Sequence, residues 1–461
     1  MEAKILNIVA TINSYLADYI LIILLVGVGL LFSIKTRFVQ VRCFGEGMKK
    51  VFGGLKLRGG KNASGLSSFQ ALATAIAAQV GTGNIVGASG AILIGGPGAI
   101  FWMWVIAFLG MATIYAEAVL AQETRIKGDD GEIHGGPVYY IKKAFTGKFG
   151  TFLAGFFSIA AILALGFMGS MVQSNSIAES MNTAFGIPGW VVGLVVAVIS
   201  AFIFLGGIQR IASVTEKLVP IMACLFLAGG LAVLVANITV LPKTFGMIFK
   251  YAFTPNAIIG GGIGYALKTA ISQGAKRGLF SNEAGMGSTP HAHAQANVEK
   301  PHDQGVAAMI GVFIDTFVVL TMTALVVISS LYAKNPGMWE AETVSKTNAM
   351  QTAVTTTFPV LGNFGNIFVA ICLFFFAFST VLSWNFFGKL NVQWLFKNKK
   401  IANVIYSVVA IGFIFLGSLL QNDLVWELTD FFNYLMVLPN AIALIALAKI
   451  VKNAANNKKD K

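Results

Sequence analysis

Runs of about twenty apolar residues recur along the whole chain, among them "ILIILLVGVGLLFS" and "GWVVGLVVAVISAFIFLGG". In hydrocarbon no water satisfies backbone N–H and C=O groups, so such runs must close their own hydrogen bonds, as helices or as a sealed barrel. Barrel strands alternate polar and apolar residues over about ten positions, and these runs do not. The fold class expected is therefore all-α integral membrane. With 56% hydrophobic and 11% charged residues, and no polar linker of the kind that separates soluble domains, the 461 residues read as one membrane domain. Cys43, Cys224 and Cys372 lie singly without a CxxC pair, giving neither a disulfide framework nor a metal motif. The amino end carries an acid at once and no small-residue cleavage site, so it is expected to be retained.

Glycine, proline and charge punctuation divide the chain into eleven transmembrane helices, near 16–34, 68–94, 98–121, 150–175, 189–207, 214–238, 257–285, 303–332, 360–387, 401–420 and 425–449. Eight Lys/Arg follow the first: Lys35, Arg37, Arg42, Lys49, Lys50, Lys56, Arg58 and Lys61. By the positive-inside rule that loop is cytoplasmic. Alternating from it, 27 of the 33 Lys/Arg fall on the cytoplasmic side. The reading is a multi-pass protein of the cell membrane with its amino end outside and its "KNAANNKKDK" tail inside. The net charge of +13 then needs no nucleic acid.

Spans two and seven are long and the most Gly-interrupted. At about 26 and 29 residues they would measure roughly 39 to 44 Å as straight helices, against about 30 Å of hydrocarbon. Span two holds "AAQVGTGNIVGASGAILIGG" (Ala77 to Gly96) and span seven "AIIGGGIGYALKTAISQGAKRGLFSNEAGMG". Glycine costs about 1 kcal/mol against alanine within a helix, so these clusters predict unwinding, at Gln79 to Asn84 and at Ser272 to Gly274. Gly87 and Gly90 are read as packing positions. With the first helix set aside as an extra, spans two to six and seven to eleven form a five-plus-five inverted repeat whose broken helices run in opposite directions. The expected divisions are 1–67 (extra helix and basic loop), 68–238 (first repeat), 257–449 (second repeat) and 450–461 (tail). Paired broken helices in matching positions point to a transporter binding site near the bilayer midplane.

"SSFQALATAIAAQVGTGNIVGASGAILIGGPGAIFWMW" and "SQGAKRGLFSNEAGMGSTPHAHA" resemble the alanine or glycine:cation symporters, the sodium:alanine symporter family. The resemblance covers nearly the whole chain. It implies a leucine-transporter-like core and sodium- or proton-coupled symport of small neutral amino acids such as alanine or glycine, with no cofactor. "AQVGTGN" is more distantly similar to the unwound first core helix of the bacterial leucine transporters. Matched residue by residue, the carbonyls of Ala77 and Val80 become sodium ligands and Asn84 takes the position that serves a second sodium there. "FFFAFSTVLSW" adds Phe376, Ser379 and Thr380 at i, i+3 and i+4, one carbonyl and two hydroxyls on one helix face. Oxygen donors of this kind suit a hard cation.

A zwitterionic substrate needs donors for its carboxylate and acceptors for its ammonium. Thr82 and Gly83 are candidate donors, Gln79, Ser272 and Gln273 candidate acceptors, and Gly274 and Thr269 are placed beside the second break. Phe167 is a candidate wall or lid, and with Gln79 and Trp384 would keep the pocket small. Ionisable residues inside spans are suspects for function. Asp315 is expected to pair with Lys268 at similar depth or to serve coupling. Glu117 and Glu123 are expected at the interface, and Gly128 to Phe145 as an interfacial loop and amphipathic helix acting as an inner gate. His291, His293 and His302 lack HExxH spacing and are not read as a metal motif. No Walker motif or catalytic constellation is present, which sets aside ATP drive and an enzyme. A channel is disfavoured by asymmetric spans with two broken helices. Proton coupling is the nearest rival to sodium, and Asp315 is its handle. The oligomeric state is not legible.

Overall fold

The computed structural model of the chain describes residues 2–53, 66–128, 131–254 and 263–456. Lys56, Arg58 and Lys61 of the basic loop, Asp129 and Asp130, the first residues of span seven (257–262) and the end of the tail (457–461) lie outside the described residues. Among the described residues the fold is all-α apart from one two-stranded hairpin, Ile126–Lys127 with Ile133–His134, and a single bridge between Leu66 and Ala296. The principal helices are α1 (Glu2–Lys35), α2 (Ser68–Gln79), α3 (Gly83–Gly95), α4 (Ala99–Thr124), α5 (Gly147–Phe185), α6 (Gly189–Phe204), α7 (Gly207–Ala236), α8 (Ile263–Asn282), α9 (Pro290–Gln295), α10 (Pro301–Lys334), α11 (Phe364–Leu395), α12 (Lys400–Gly417) and α13 (Asn422–Ala446). Among the described residues, eight are long and apolar enough to cross a membrane, or nine with the bent pair α2 and α3 counted as one span. The shorter apolar α6 and the polar-rich α8 fall outside that count.

Burial sorts the helices into an inner and an outer set. In α2 and α3, Ala71 to Ala91 is buried throughout, polar residues included. α6 and α12 instead expose Val198, Phe202, Ile401 and Val408. A continuous apolar exterior around a polar-speckled interior is the arrangement a bilayer selects, because polar groups are affordable only where protein satisfies them.

Local sequence explains how α2 begins and ends. "SSFQ" forms a capping box: the Ser67 hydroxyl accepts from the Gln70 N–H at 3.1 Å, and the Gln70 side chain accepts from the Ser67 N–H at 3.2 Å. At the other end Val80 leaves helical geometry (φ −80°, ψ 87°), and α3 resumes at Gly83 with a bend of 43°. The predicted break at Gln79 to Asn84 is thus observed.

The second break lies elsewhere than predicted. α8 is unbroken through Ser272, Gln273 and Gly274, and the chain leaves helix only after Asn282, resuming at Pro290. Three alternate residues set it: Glu283 (φ 59°), Gly285 (φ 91°) and Gly287 (φ 82°) adopt the left-handed region that a helix excludes. Ser272, Gln273 and Gly274 are helical because they serve packing. Ser272 donates to Asp18 of α1 at 2.5 Å, Gln273 lies against Gly95, and a Cβ on Gly274 would meet Trp102 at 2.5 Å.

Candidate functional site

The unwinding of α2 frees its last carbonyls. The Gly81 N–H, which in a helix would donate to Ala77, donates instead to the Asn84 side-chain oxygen at 2.8 Å. The Thr82 N–H likewise donates to Gln173 Oε1 on α5 at 3.1 Å, leaving the Ala78 carbonyl. Two hydroxyls of α11 turn to these oxygens. Thr380 Oγ1 lies 2.9 Å from Ala77 O, 3.3 Å from Ala78 O and 3.2 Å from Phe376 O. Ser379 Oγ lies 3.3 Å from Ala77 O and 2.8 Å from Phe376 O. Two hydroxyl hydrogens thus face three carbonyls in a buried corner that is rich in oxygen and poor in donors. Ala77, Phe376, Ser379 and Thr380 are brought together as the i, i+3, i+4 spacing anticipates, and Val80 is the turned residue beside them. Gly81 is required here, since a Cβ would lie 2.3 Å from Thr380 Oγ1.

Beside this corner lies a set of buried side-chain atoms without partners among the described residues: Gln79 Oε1, Thr82 Oγ1 and Gln173 Nε2. Buried polar atoms are ordinarily paired, so three unpartnered ones beside the same corner depart from the usual pattern. Gln79 also donates to the Asn282 carbonyl at 2.8 Å, joining the two breaks. Gly83 lets Phe280 approach, its absent Cβ falling 2.9 Å from the ring.

Asp315, fully buried on α10, accepts from Asn84 at 2.6 Å, from Ser281 at 3.0 Å and from Thr316 at 2.8 Å. It ties the first break to the end of α8. The predicted Lys268 to Asp315 pair does not form: Lys268 reaches Asp18 at 3.0 Å and the Tyr19 ring at 5.0 Å, because α1 packs against this stretch of α8 and offers it a carboxylate. The Thr269 hydroxyl donates to the Tyr265 carbonyl of its own helix at 2.9 Å. Phe167 stacks on Phe413 at 4.9 Å and leans on Tyr406, so it packs against α12 and away from both breaks.

Glu117 is fully buried rather than interfacial, while Glu123 is exposed. Its two oxygens accept from the N–H groups of Gly285 and Gly287 at 3.0 Å each, and from Asn440 at 2.7 Å. A carboxylate thereby satisfies the donors freed by the second break. Glu283 accepts from the Trp384 indole at 2.5 Å and from the Ser288 hydroxyl. Phe280, Ser281, Glu283, Gln173 and Glu117 were not singled out by sequence reasoning as site residues. The available signal was "SNEAGMGSTP", where two glycines one residue apart precede a proline that opens the next helix.

Aromatic and charged layers lie on either side. Trp426 is tilted against Phe280 at 4.7 Å, the Arg277 guanidinium stands 4.7 Å from the Trp426 ring, and Arg277 pairs with Asp430 at 2.7 Å. In the neighbouring loop Lys346 reaches Asp423 at 2.6 Å, and burial pushes its ammonium below the usual lysine range. At the other end a cavity of about 610 Å³ is lined by Glu132, His134, Gln209, Gln295, Lys389 and Gln393. The hairpin carrying Glu132 and His134 leads into the helix Pro137–Ala144, whose Tyr140 hydroxyl donates to Asn440 at 2.5 Å.

A profile described as the sodium:alanine symporter family matches residues 2–461. The chain belongs to the sodium:alanine symporter family. It is therefore a secondary active transporter of small neutral amino acids coupled to sodium, and not an enzyme. Within this family it is 39% identical to the sodium/alanine symporter AgcS of Methanococcus maripaludis, over 96% of this chain and 95% of that protein. It is 37% identical to the amino-acid carrier protein AlsT of Bacillus subtilis, over 100% of this chain and 94% of the relative. Among solved structures it is similar to MhsT in complex with L-phenylalanine, with a TM-score of 0.58 at 15% identity, covering 84% of this chain and 96% of the other. That likeness gives this member of the family a leucine-transporter-like fold.

Proposed function

We propose that the two breaks hold one small amino acid and that the corner beside them holds a co-transported sodium ion. The observation that carries this reading is the oxygen-rich corner of Ala77, Phe376, Ser379 and Thr380 next to the unpartnered Gln79, Thr82 and Gln173 atoms. Hard cations take oxygen ligands, and here one replaces hydrogen bonds that two hydroxyls share among three carbonyls. The Val80 carbonyl completes the set. Thr82, Gly83 and Gln173 receive the carboxylate, Gln79 faces the ammonium, and the packed rings of Phe280, Trp384 and Trp426 wall the side chain and keep it small. Alanine, the substrate in the name of AgcS, fits that limit, and glycine is smaller still. Phe167, Thr269, Ser272, Gln273 and Gly274 serve packing in this account. Asn84 and Asp315 transmit occupancy between the first break and α10.

Counting α6 and α8 as spans gives eleven, with α1 (within 1–67) as the extra helix and 68–238 and 257–449 as inverted groups of five. The basic residues favour an amino end outside and the tail from 450 inside. In that frame Arg277, Asp430 and Trp426 form the outer gate, and Trp384 with Glu283 separates the site from the inner cavity. Titrating the purified protein with alanine by calorimetry tests the coupling. Alanine should bind at least tenfold more tightly in sodium than in choline chloride; equal affinity in the two salts would contradict a shared site.

A further inference from the structure

We propose that Cys43, Glu46 and His302 form a binding site for a divalent transition metal of the zinc class, apart from the transport path. The Cys43 sulfur, a Glu46 carboxylate oxygen and a His302 ring nitrogen all lie within 4.8 Å of one another. Cys43 sits at the junction of the short helices Val39–Arg42 and Phe44–Phe52, and Glu46 lies in the first turn of the second. His302 is the second residue of α10, whose start packs against that second helix. Two neighbouring residues and a histidine from a distant part of the sequence thus meet at one point, which is why cysteine spacing alone gave no metal motif.

The chemistry of the set is that of zinc, which takes thiolate, imidazole and carboxylate together. His302 Nε2 stands 3.4 Å from Glu46 Oε1. With metal-to-nitrogen and metal-to-oxygen distances of about 2.0–2.1 Å, the edge of a ligand tetrahedron is about 3.3–3.4 Å. The other ring nitrogen, Nδ1, is 2.7 Å from the Tyr115 hydroxyl of α4. The Tyr115 hydroxyl can accept from an Nδ1–H, and in that tautomer Nε2 keeps the lone pair that binds metal. Cys43 is fully buried and the Glu46 side chain is 26% exposed, so a fourth position opens on the solvent side. An ion there ties the arm that follows α1 to the beginning of α10, the helix that carries Asp315. The neighbouring Lys50 to Asp303 ion pair, at 2.8 Å, joins the same segments without metal.

The test uses full-length protein in detergent with Cys224, the exposed cysteine, changed to serine, stripped of metal and titrated with cobalt(II). A thiolate-to-cobalt charge-transfer absorption should saturate at a single equivalent and vanish on adding zinc. It should be lost in Cys43→Ser, and His302→Gln should weaken cobalt binding tenfold or more. Tyr115→Phe should keep the absorption while lowering affinity about 10–100-fold. No thiolate absorption without further substitution, or absorption that survives Cys43→Ser, would overturn the proposal. Because Cys43 is buried and its serine variant could misfold, a melting midpoint gives an independent reading. Zinc should raise it with His302 intact and leave it unmoved in His302→Gln, and an equal rise in both would also overturn the site.

Discussion

Thr380 has one hydroxyl hydrogen and three carbonyl neighbours, those of Ala77, Ala78 and Phe376. A hydroxyl can donate to only one acceptor at a time, so the others are left with lone pairs that a cation can use. Thr380→Ala should raise the sodium concentration for half-maximal transport about tenfold, the equivalent of about 1.4 kcal/mol, whereas Thr380→Ser should leave it nearly unchanged. Sodium titration of alanine uptake reads both, and a serine variant as impaired as the alanine one would show that the methyl group, not the oxygen, matters. Gly81→Ala places a Cβ 2.3 Å from the same oxygen and should abolish sodium activation. Gly83 is constrained from a different direction, by Phe280, so Gly83→Ala should impair alanine affinity more than sodium affinity.

At the scale of elements, the two breaks are held open by different means. The first is stabilised by side chains that take over its N–H groups, Asn84 and Gln173, and the second by the Glu117 carboxylate. Glu117→Gln retains the shape but weakens hydrogen bonds to a charged acceptor, each worth about 1.5–3 kcal/mol. It should lower the melting midpoint and reduce transport, and a variant unchanged in both would show that the loop needs no such anchor. The first break was legible because glycine and polar residues cluster at "AQVGTGN" in an otherwise apolar run. The second was displaced by about ten residues, because "AISQG" carries similar polar signals that serve the Asp18 contact with the extra helix. Hydropathy cannot separate a polar residue that binds substrate from one that binds a neighbouring helix. For the same reason Lys268 was paired with Asp315 by depth, although depth along a helix says nothing about which face a side chain occupies.

In the proposed orientation, the whole molecule joins a closed outer layer to an inner cavity. Arg277 and Asp430 are both largely buried, and removing one partner of such a pair costs about 3–5 kcal/mol by stranding the other charge. Arg277→Gln should therefore shift the population toward an outward-open form, read as faster modification, by an impermeant maleimide, of a cysteine placed at Gly87 beneath Trp426. Unaltered reactivity would remove the pair from the gate. Orientation is tested in the same way: a cysteine at Ser345 should react from outside in intact cells, and one at Asn453 only after permeabilisation. Reversal of that order would invert the topology.

In the proposed cycle a sodium gradient drives a small amino acid through the site between the two breaks. Uptake of radiolabelled alanine into proteoliposomes under an imposed inward sodium gradient, compared with an imposed proton gradient at equal sodium, measures this directly. The account predicts accumulation above equilibrium with sodium, loss of that accumulation in Thr380→Ala, and none with the proton gradient alone. Equal accumulation driven by protons in the absence of sodium would contradict it.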